Sequence, residues 1–314
     1  MLVTLSLAMA LHYQALLVAP LNFHSAQAFF DLESVWPDSL VQAWRPRVLS
    51  LLLARGLWSV APWLPELPTS LPAPTLETLA IAWWVAAWFA AIGGLWIAAR
   101  GERALFPILG TYACVVFGYS AGLDLRIYPW DLPALAVFVL FVALVHLRRP
   151  PWQIALAIWA GMAFKETAVV LALFPLALDL SWRRRALWAF ATLAGCLAVK
   201  VGLDLATANT AVGLTMATGS FYDEGSLWWW NLRQLALGLP LAVNGGTLLG
   251  FLLLPHASRT IVAFKAIALA FAAGNLLFGV ITEYRIWFEM IPLALHGLDG
   301  ALRSDPLRSA AASR

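Results

Sequence analysis

The sequence predicts an all-α, polytopic integral membrane protein, and three observations carry that expectation. Apolar residues make up 62% of the 314-residue chain and charged residues only 12%, against about 25% charge in a soluble domain. The apolar residues fall in long runs, with a mean hydropathy of +0.79, and the length leaves room for roughly ten transmembrane or partly spanning helices of about 20 residues. The charges, finally, sort by type. Arg100/Arg103, Arg148/Arg149, Arg183/Arg184/Arg185, Arg259 and the Arg303/Arg308/Arg314 tail form a basic set, as expected of cytoplasmic anchors. Mixed acid–base groups fall at the alternate ends of the apolar runs: Asp31/Glu33/Asp38, Asp124/Arg126/Asp131, Lys165/Glu166, Asp223/Glu224 and Glu283/Arg285/Glu289.

Residues 1–314 read as a single transmembrane domain, because no polar stretch is long enough for a separate soluble one. The first span is expected at Leu2–Ala19. Ala26-Gln27-Ala28 resembles a signal cleavage site, but the apolar stretch lacks a basic leader and is longer than a signal core, which favours a retained span. Residues 20–74 form a Pro- and Trp-rich first outer loop with an amphipathic helix at Arg47–Trp58. Further spans are expected at Thr75–Ala99, Ala104–Gly122 and Leu132–Leu147. Trp152–Phe164 and Thr167–Leu180 are apolar pieces joined only by Lys165-Glu166. As α-helices each would be only about 20 Å long, short of a hydrocarbon core of about 30 Å. Basic groups flank the pair on both sides, so residues 152–182 read as a short hairpin with the two charges at its tip. One long tilted helix across 152–180 is the competing reading. Spans at Ala186–Leu203, Trp228–Leu254, Ile261–Ile281 and Ile286–Leu302 complete the chain. Both termini fall on the cytoplasmic side, with Trp130 and Trp228–Trp230 at the outer interface.

Composition excludes several classes. The net charge of +3 and pI of about 9.1 follow from the loop arginines and call for no nucleic-acid partner. Cys114 and Cys196 sit inside apolar runs without metal or disulfide spacing, and the five histidines are scattered. No cofactor motif is present, and the outer acids leave a divalent metal open.

The outer groups are where chemistry is expected, since ionisable residues near lipid are costly. Asp31, Glu33 and Asp38 are acids that could serve as base or metal ligand; a solvated loop would carry them equally well. Asp124, Arg126, Tyr128 and Asp131 put acids, a phosphate-holding Arg and stacking aromatics between two spans. An interfacial turn with Asp131 as helix cap is the plainer alternative. Lys165 and Glu166 are the most specific signal, unless they merely neutralise each other. Glu283, Arg285 and Glu289 offer an i,i+4 bridge between 285 and 289 and leave Glu283 for other work.

Together these pieces resemble bacterial polytopic membrane glycosyltransferases of the GT-C superfamily. The likeness lies in Phe30-Asp31, Arg47-Val-Leu-Ser-Leu-Leu, Tyr128-Pro129-Trp130-Asp131-Leu-Pro, Phe164-Lys165-Glu166-Thr167-Ala and Glu283-Tyr-Arg285…Glu289-Met-Ile-Pro292. It covers most of the chain in order, through short and degenerate motifs. The loop carries Asp31-Leu-Glu33, an acid-x-acid pattern, rather than two adjacent acids. The resemblance implies a bacterial inner-membrane enzyme of cell-envelope glycan biosynthesis with an extracytoplasmic site. It implies a polyprenyl-phosphate sugar as donor and a glycan, lipid or protein as acceptor. Asp31 takes the role of catalytic base by position, with Asp38 as fallback and Glu33 beside it. Arg126, Lys165 and Arg285, with Arg47, would steady the departing phosphate. Two other classes fit the same residues. A secondary transporter or flippase would use Lys165/Glu166 as a relay. A non-catalytic membrane subunit would bridge its outer charges to one another.

Overall fold

The computed structural model describes residues 1–18, 47–66, 76–121, 128–206, 227–236, 250–254, 258–278 and 284–303. Among the described residues every regular element is helical. In chain order the α-helices are α1 (Leu2–Val18), α2 (Val48–Val60), α3 (Leu76–Arg100), α4 (Leu105–Ala121), α5 (Asp131–His146), α6 (Pro151–Met162), α7 (Trp182–Ala206), α8 (Leu227–Ala236), α9 (Arg259–Phe278) and α10 (Ile291–Arg303). Longer 3-10 helices occupy Glu166–Ala177 and Tyr284–Met290.

Among the described residues, three segments are long and apolar enough to cross a membrane: Leu76–Val116, Trp182–Ala206 and Arg259–Leu277. The first is a helical hairpin. Gly101 turns the chain with a φ of +55°, a conformation that glycine adopts without steric cost. α4 then folds back on α3, so that the Tyr112 hydroxyl donates to the Phe89 carbonyl at 2.6 Å and the Trp96 indole to Thr111 Oγ1 at 3.2 Å. α1 joins them where Gly93 leaves room for Ser6 and Tyr112, which any Cβ would strike.

α5 is the central helix. Its residues from Asp131 to Val139 are all buried, and it packs against α3, α6, α10 and both 3-10 segments. Apolar side chains on every face are what a fully enclosed helix requires. Phe138 and Phe141 meet Phe271 and Phe264 of α9 with ring centroids 6.0 and 5.7 Å apart. The helix ends in a left-handed cap. Arg148 sits at a φ of 51°, its amide donates to Val145 and that of Arg149 to Leu144, and Pro150 and Pro151 prevent continuation. The cap position favours glycine, so Arg148→Gly is expected to stabilise the fold by about 1 kcal/mol. A raised apparent Tm in a thermal scan checks this; an unchanged or lowered one contradicts it.

The hairpin region departs from regular α structure. The chain breaks at 163–165 and turns back, so that a Cβ on Gly161 would lie 3.1 Å from that of Ala168. One continuous helix would hold those positions about 10 Å apart. The returning limb, Glu166–Ala177, is a 12-residue 3-10 helix. At about 2.0 Å per residue it reaches roughly 24 Å, where an α-helix would reach about 18 Å. The tighter winding, with its longer rise per residue, lengthens a segment that is short for a bilayer.

α7 is peripheral. Leu187, Phe190, Leu197 and Leu205 point outward and are exposed, the arrangement expected against lipid tails. Its inner side packs on α6, where Gly195 accommodates the Trp159 ring and the Trp159 indole donates to the Thr192 carbonyl at 3.1 Å. Asn231 of α8 donates to the Leu276 carbonyl at 2.8 Å, satisfying a group that the end of α9 leaves unbonded.

The described members of the two charge sets separate along the bundle. At the end of α3 and α5, Arg100 bridges Asp299 at 2.9 Å and reaches His296 Nδ1 at 2.6 Å. His146 packs against His296 there, with centroids 5.5 Å apart. Asp179 and Arg259 pair at 2.6 Å. The described members of the mixed groups, Asp131, Lys165, Glu166 and Glu289, gather at the start of α5, about 22 Å away along that helix.

Candidate functional site

The site is built around the turn between α6 and the 3-10 helix Glu166–Ala177. The amides of Phe164 and Lys165 both donate to the Gly161 carbonyl, at 3.0 and 2.9 Å. Lys165 is extended, with φ −160° and ψ 136°. In extended backbone, successive side chains diverge, and these two do. Lys165 Nζ meets Glu289 Oε1 at 2.5 Å. Glu166 takes a two-pronged contact from Arg47, with Nε donating to Oε2 at 3.0 Å and Nη2 to Oε1 at 2.5 Å. The adjacent pair is therefore not a self-contained bridge. Each member is tied to a partner more than a hundred positions away in the chain.

Arg47 caps α2, whose first turn is fastened to the same tip. The Leu49 amide donates to the Ala163 carbonyl at 3.1 Å and Ser50 Oγ to the Phe164 carbonyl at 3.4 Å. The N-terminus of α2 thus meets the C-terminus of α6, pairing orphan donors with orphan acceptors. The guanidinium of Arg47 lies over Trp130, 4.5 Å from the ring centroid. Trp130 is stacked on Tyr128, with centroids 4.9 Å apart and planes 12° from parallel.

Asp131 is the first residue of α5, and Trp130 rather than Asp131 occupies the capping position. Its Oδ2 accepts the Tyr128 amide at 3.1 Å, closing the turn back on itself. Asp131 and Glu289 both lie within electrostatic reach of Arg47, and of each other. The five charges form one cluster with a net charge of −1 when all are ionised.

The two ion pairs differ in access to solvent. The side chains of Lys165 and Glu289 are 7% and 1% exposed. Those of Arg47 and Glu166 are 12% and 41% exposed. Glu289 Oε2 is buried without a hydrogen-bond partner, and Thr167 stands beside that carboxylate. Trp84, Trp88 and Phe164 make an aromatic wall next to the tip, in edge contacts of 5.7 and 5.8 Å. Buried ion pairs of this kind gain little net stability over apolar packing.

Of the residues expected to act, Arg47, Tyr128, Asp131, Lys165, Glu166 and Glu289 are brought together. Asp31, Glu33, Asp38, Asp124, Arg126 and Glu283 lie outside the described residues. Arg285 belongs to the 3-10 helix Tyr284–Met290, and its side chain is likewise outside them. Trp130, one of the aromatics expected to stack on a substrate, lies instead under Arg47. Thr167 beside Glu289 was not anticipated, and its only sequence signal is adjacency to Glu166. Among the described residues no group of three or more His, Cys, Asp or Glu is arranged to hold a metal ion. Comparison of the chain with protein-family models, curated proteins and solved structures finds no match.

Proposed function

We propose that this chain is a bacterial inner-membrane glycosyltransferase with about ten spans and a GT-C-like arrangement. It would move a sugar from a polyprenyl-phosphate donor to an extracytoplasmic glycan, lipid or protein acceptor. The observation that carries the reading is the convergence of Arg47, Asp131, Lys165, Glu166 and Glu289 at the end of the bundle opposite the basic loops. By the positive-inside rule that end faces outward, and charges held beside lipid at such cost are expected to serve a site. In the reaction the acceptor hydroxyl attacks the anomeric carbon and gives its proton to a carboxylate, for which Asp31 is the assigned base. The bond from that carbon to the phosphate oxygen breaks, and the electron pair leaves on polyprenyl phosphate. Arg47, with its fork geometry, is the described cation best suited to steady that oxyanion.

The bridges themselves support a second reading. Both cations of the cluster already have a carboxylate partner, as a non-catalytic membrane subunit would arrange them. The full chain in proteoliposomes, supplied with a panel of polyprenyl-phosphate pentoses and hexoses, separates the two. Release of polyprenyl phosphate that is lost in Asp31→Asn is the expected result. No release by the wild type from any donor, or full release by Asp31→Asn, contradicts the enzyme reading or the base assignment respectively.

A further inference from the structure

The two ion pairs of the site are not equivalent, and the difference points to an exchange. Lys165 and Glu289 are both sealed, at 7% and 1% exposure, whereas Glu166 is 41% exposed beside an Arg47 that is only 12% exposed. Arg47 is held from below by Trp130 at 4.5 Å and by the helix it caps, α2, which is fastened at Leu49 and Ser50. Glu166 is the member of that pair with solvent to move into. We propose that the edge of Arg47 is an oxyanion-binding site and that Glu166 is its resident carboxylate, displaced when a phosphate group arrives. The Lys165–Glu289 pair stays closed and fixes the tip while the exchange takes place.

The chemistry favours this ligand class. Carboxylate and phosphate present two oxygens to a guanidinium fork in the same way, and Arg47 already uses Nε and Nη2 in that geometry on Glu166. The aromatic platform is contacted by the face of the guanidinium, so the fork edge remains available to an anion. A displaced Glu166 keeps a favourable field from the neighbouring Lys165, which lowers the cost of its release. The carboxylate therefore neutralises Arg47 when the site is empty and sets a threshold that weaker anions do not cross. The natural ligand, a prenyl phosphate, rests on the transferase reading. The exchange itself does not.

The test is binding of farnesyl phosphate to the full chain in phosphatidylcholine nanodiscs, measured by titration calorimetry beside inorganic phosphate, dioctanoyl phosphatidic acid and farnesol. The wild type is expected to bind farnesyl phosphate and not farnesol. Glu166→Gln removes the competing charge and is expected to bind about ten-fold tighter. Arg47→Gln is expected to lose at least ten-fold, and Arg47→Lys, which keeps the charge without the fork, to recover only part of it. Thermal unfolding of each variant shows that it is folded. Inorganic phosphate bound as tightly as farnesyl phosphate supports a free oxyanion as ligand. A requirement for the apolar chain supports a lipid headgroup. A folded Glu166→Gln protein that binds no tighter than wild type, or an Arg47→Gln protein that binds as well, overturns the proposal. Binding with the Glu166→Gln gain but no sugar transfer would overturn the transferase reading alone; transfer without that gain would overturn the exchange alone.

Discussion

Replacing Glu289 with Ala is expected to destabilise the folded chain by about 3–5 kcal/mol, because it strands an ammonium in a buried site. Lys165 is 7% exposed and Glu289 1% exposed, so neither charge can be rehydrated without opening the contact between the hairpin tip and the Tyr284–Met290 segment. The converse change, Lys165→Ala, leaves a carboxylate whose second oxygen is already without a hydrogen-bond partner, and a comparable loss is expected. Replacing both together, Lys165→Met with Glu289→Met, should recover most of it, since apolar groups of similar volume are often as stable as the buried pair. Denaturation of wild type and the three purified variants, followed by tryptophan fluorescence, measures each of these differences. A Glu289→Ala protein within about 1 kcal/mol of wild type would mean that Lys165 has another partner or a route to water.

On the proposed transferase reading, Arg47→Ala is expected to lower sugar transfer by about 10²–10³-fold, the usual effect of removing one donor to a developing oxyanion. Its effect on stability should be about 1 kcal/mol or less, because the pair it breaks is partly solvated and Glu166 is left 41% exposed. α2 keeps its other two ties to the hairpin tip, from Leu49 and Ser50. Arg47→Lys retains the charge but not the planar fork, so turnover should be restored only in part. Initial rates in proteoliposomes at saturating donor, with unfolding measured on the same preparations, separate the two effects. Full turnover in a folded Arg47→Ala protein would remove Arg47 from the reaction. A rate loss that simply tracks unfolding would make it a structural residue.

The helices were largely legible in the sequence because each is a long apolar run closed by charges or proline. A span expected at Thr75–Ala99 lies against a helix at Leu76–Arg100, and one at Ala104–Gly122 against Leu105–Ala121. The winding of Glu166–Ala177 was not legible. Apolar periodicity does not distinguish α from 3-10 in a segment buried on several faces, and nothing local marks the longer rise. Partners were not legible either. Lys165 and Glu166 invite a neighbourly bridge, yet the bridges formed join Lys165 to Glu289 and Arg47 to Glu166. Such pairings depend on which helix ends the bundle brings together. The same is true of Arg100, His146, His296 and Asp299, whose scattered positions concealed a second polar cluster at the other end of α5.

Locating the phosphate of the leaving group tests the central claim most directly. A structure of the full chain in nanodiscs, determined with polyprenyl phosphate bound, should place the phosphate within hydrogen-bond distance of Arg47 Nε and Nη2. Glu166 should be turned away towards solvent, with Lys165 and Glu289 still paired. Phosphate bound instead near Arg100 and Arg149, or Glu166 still clasped to Arg47 with the lipid in place, would contradict a transfer site at this end of the bundle.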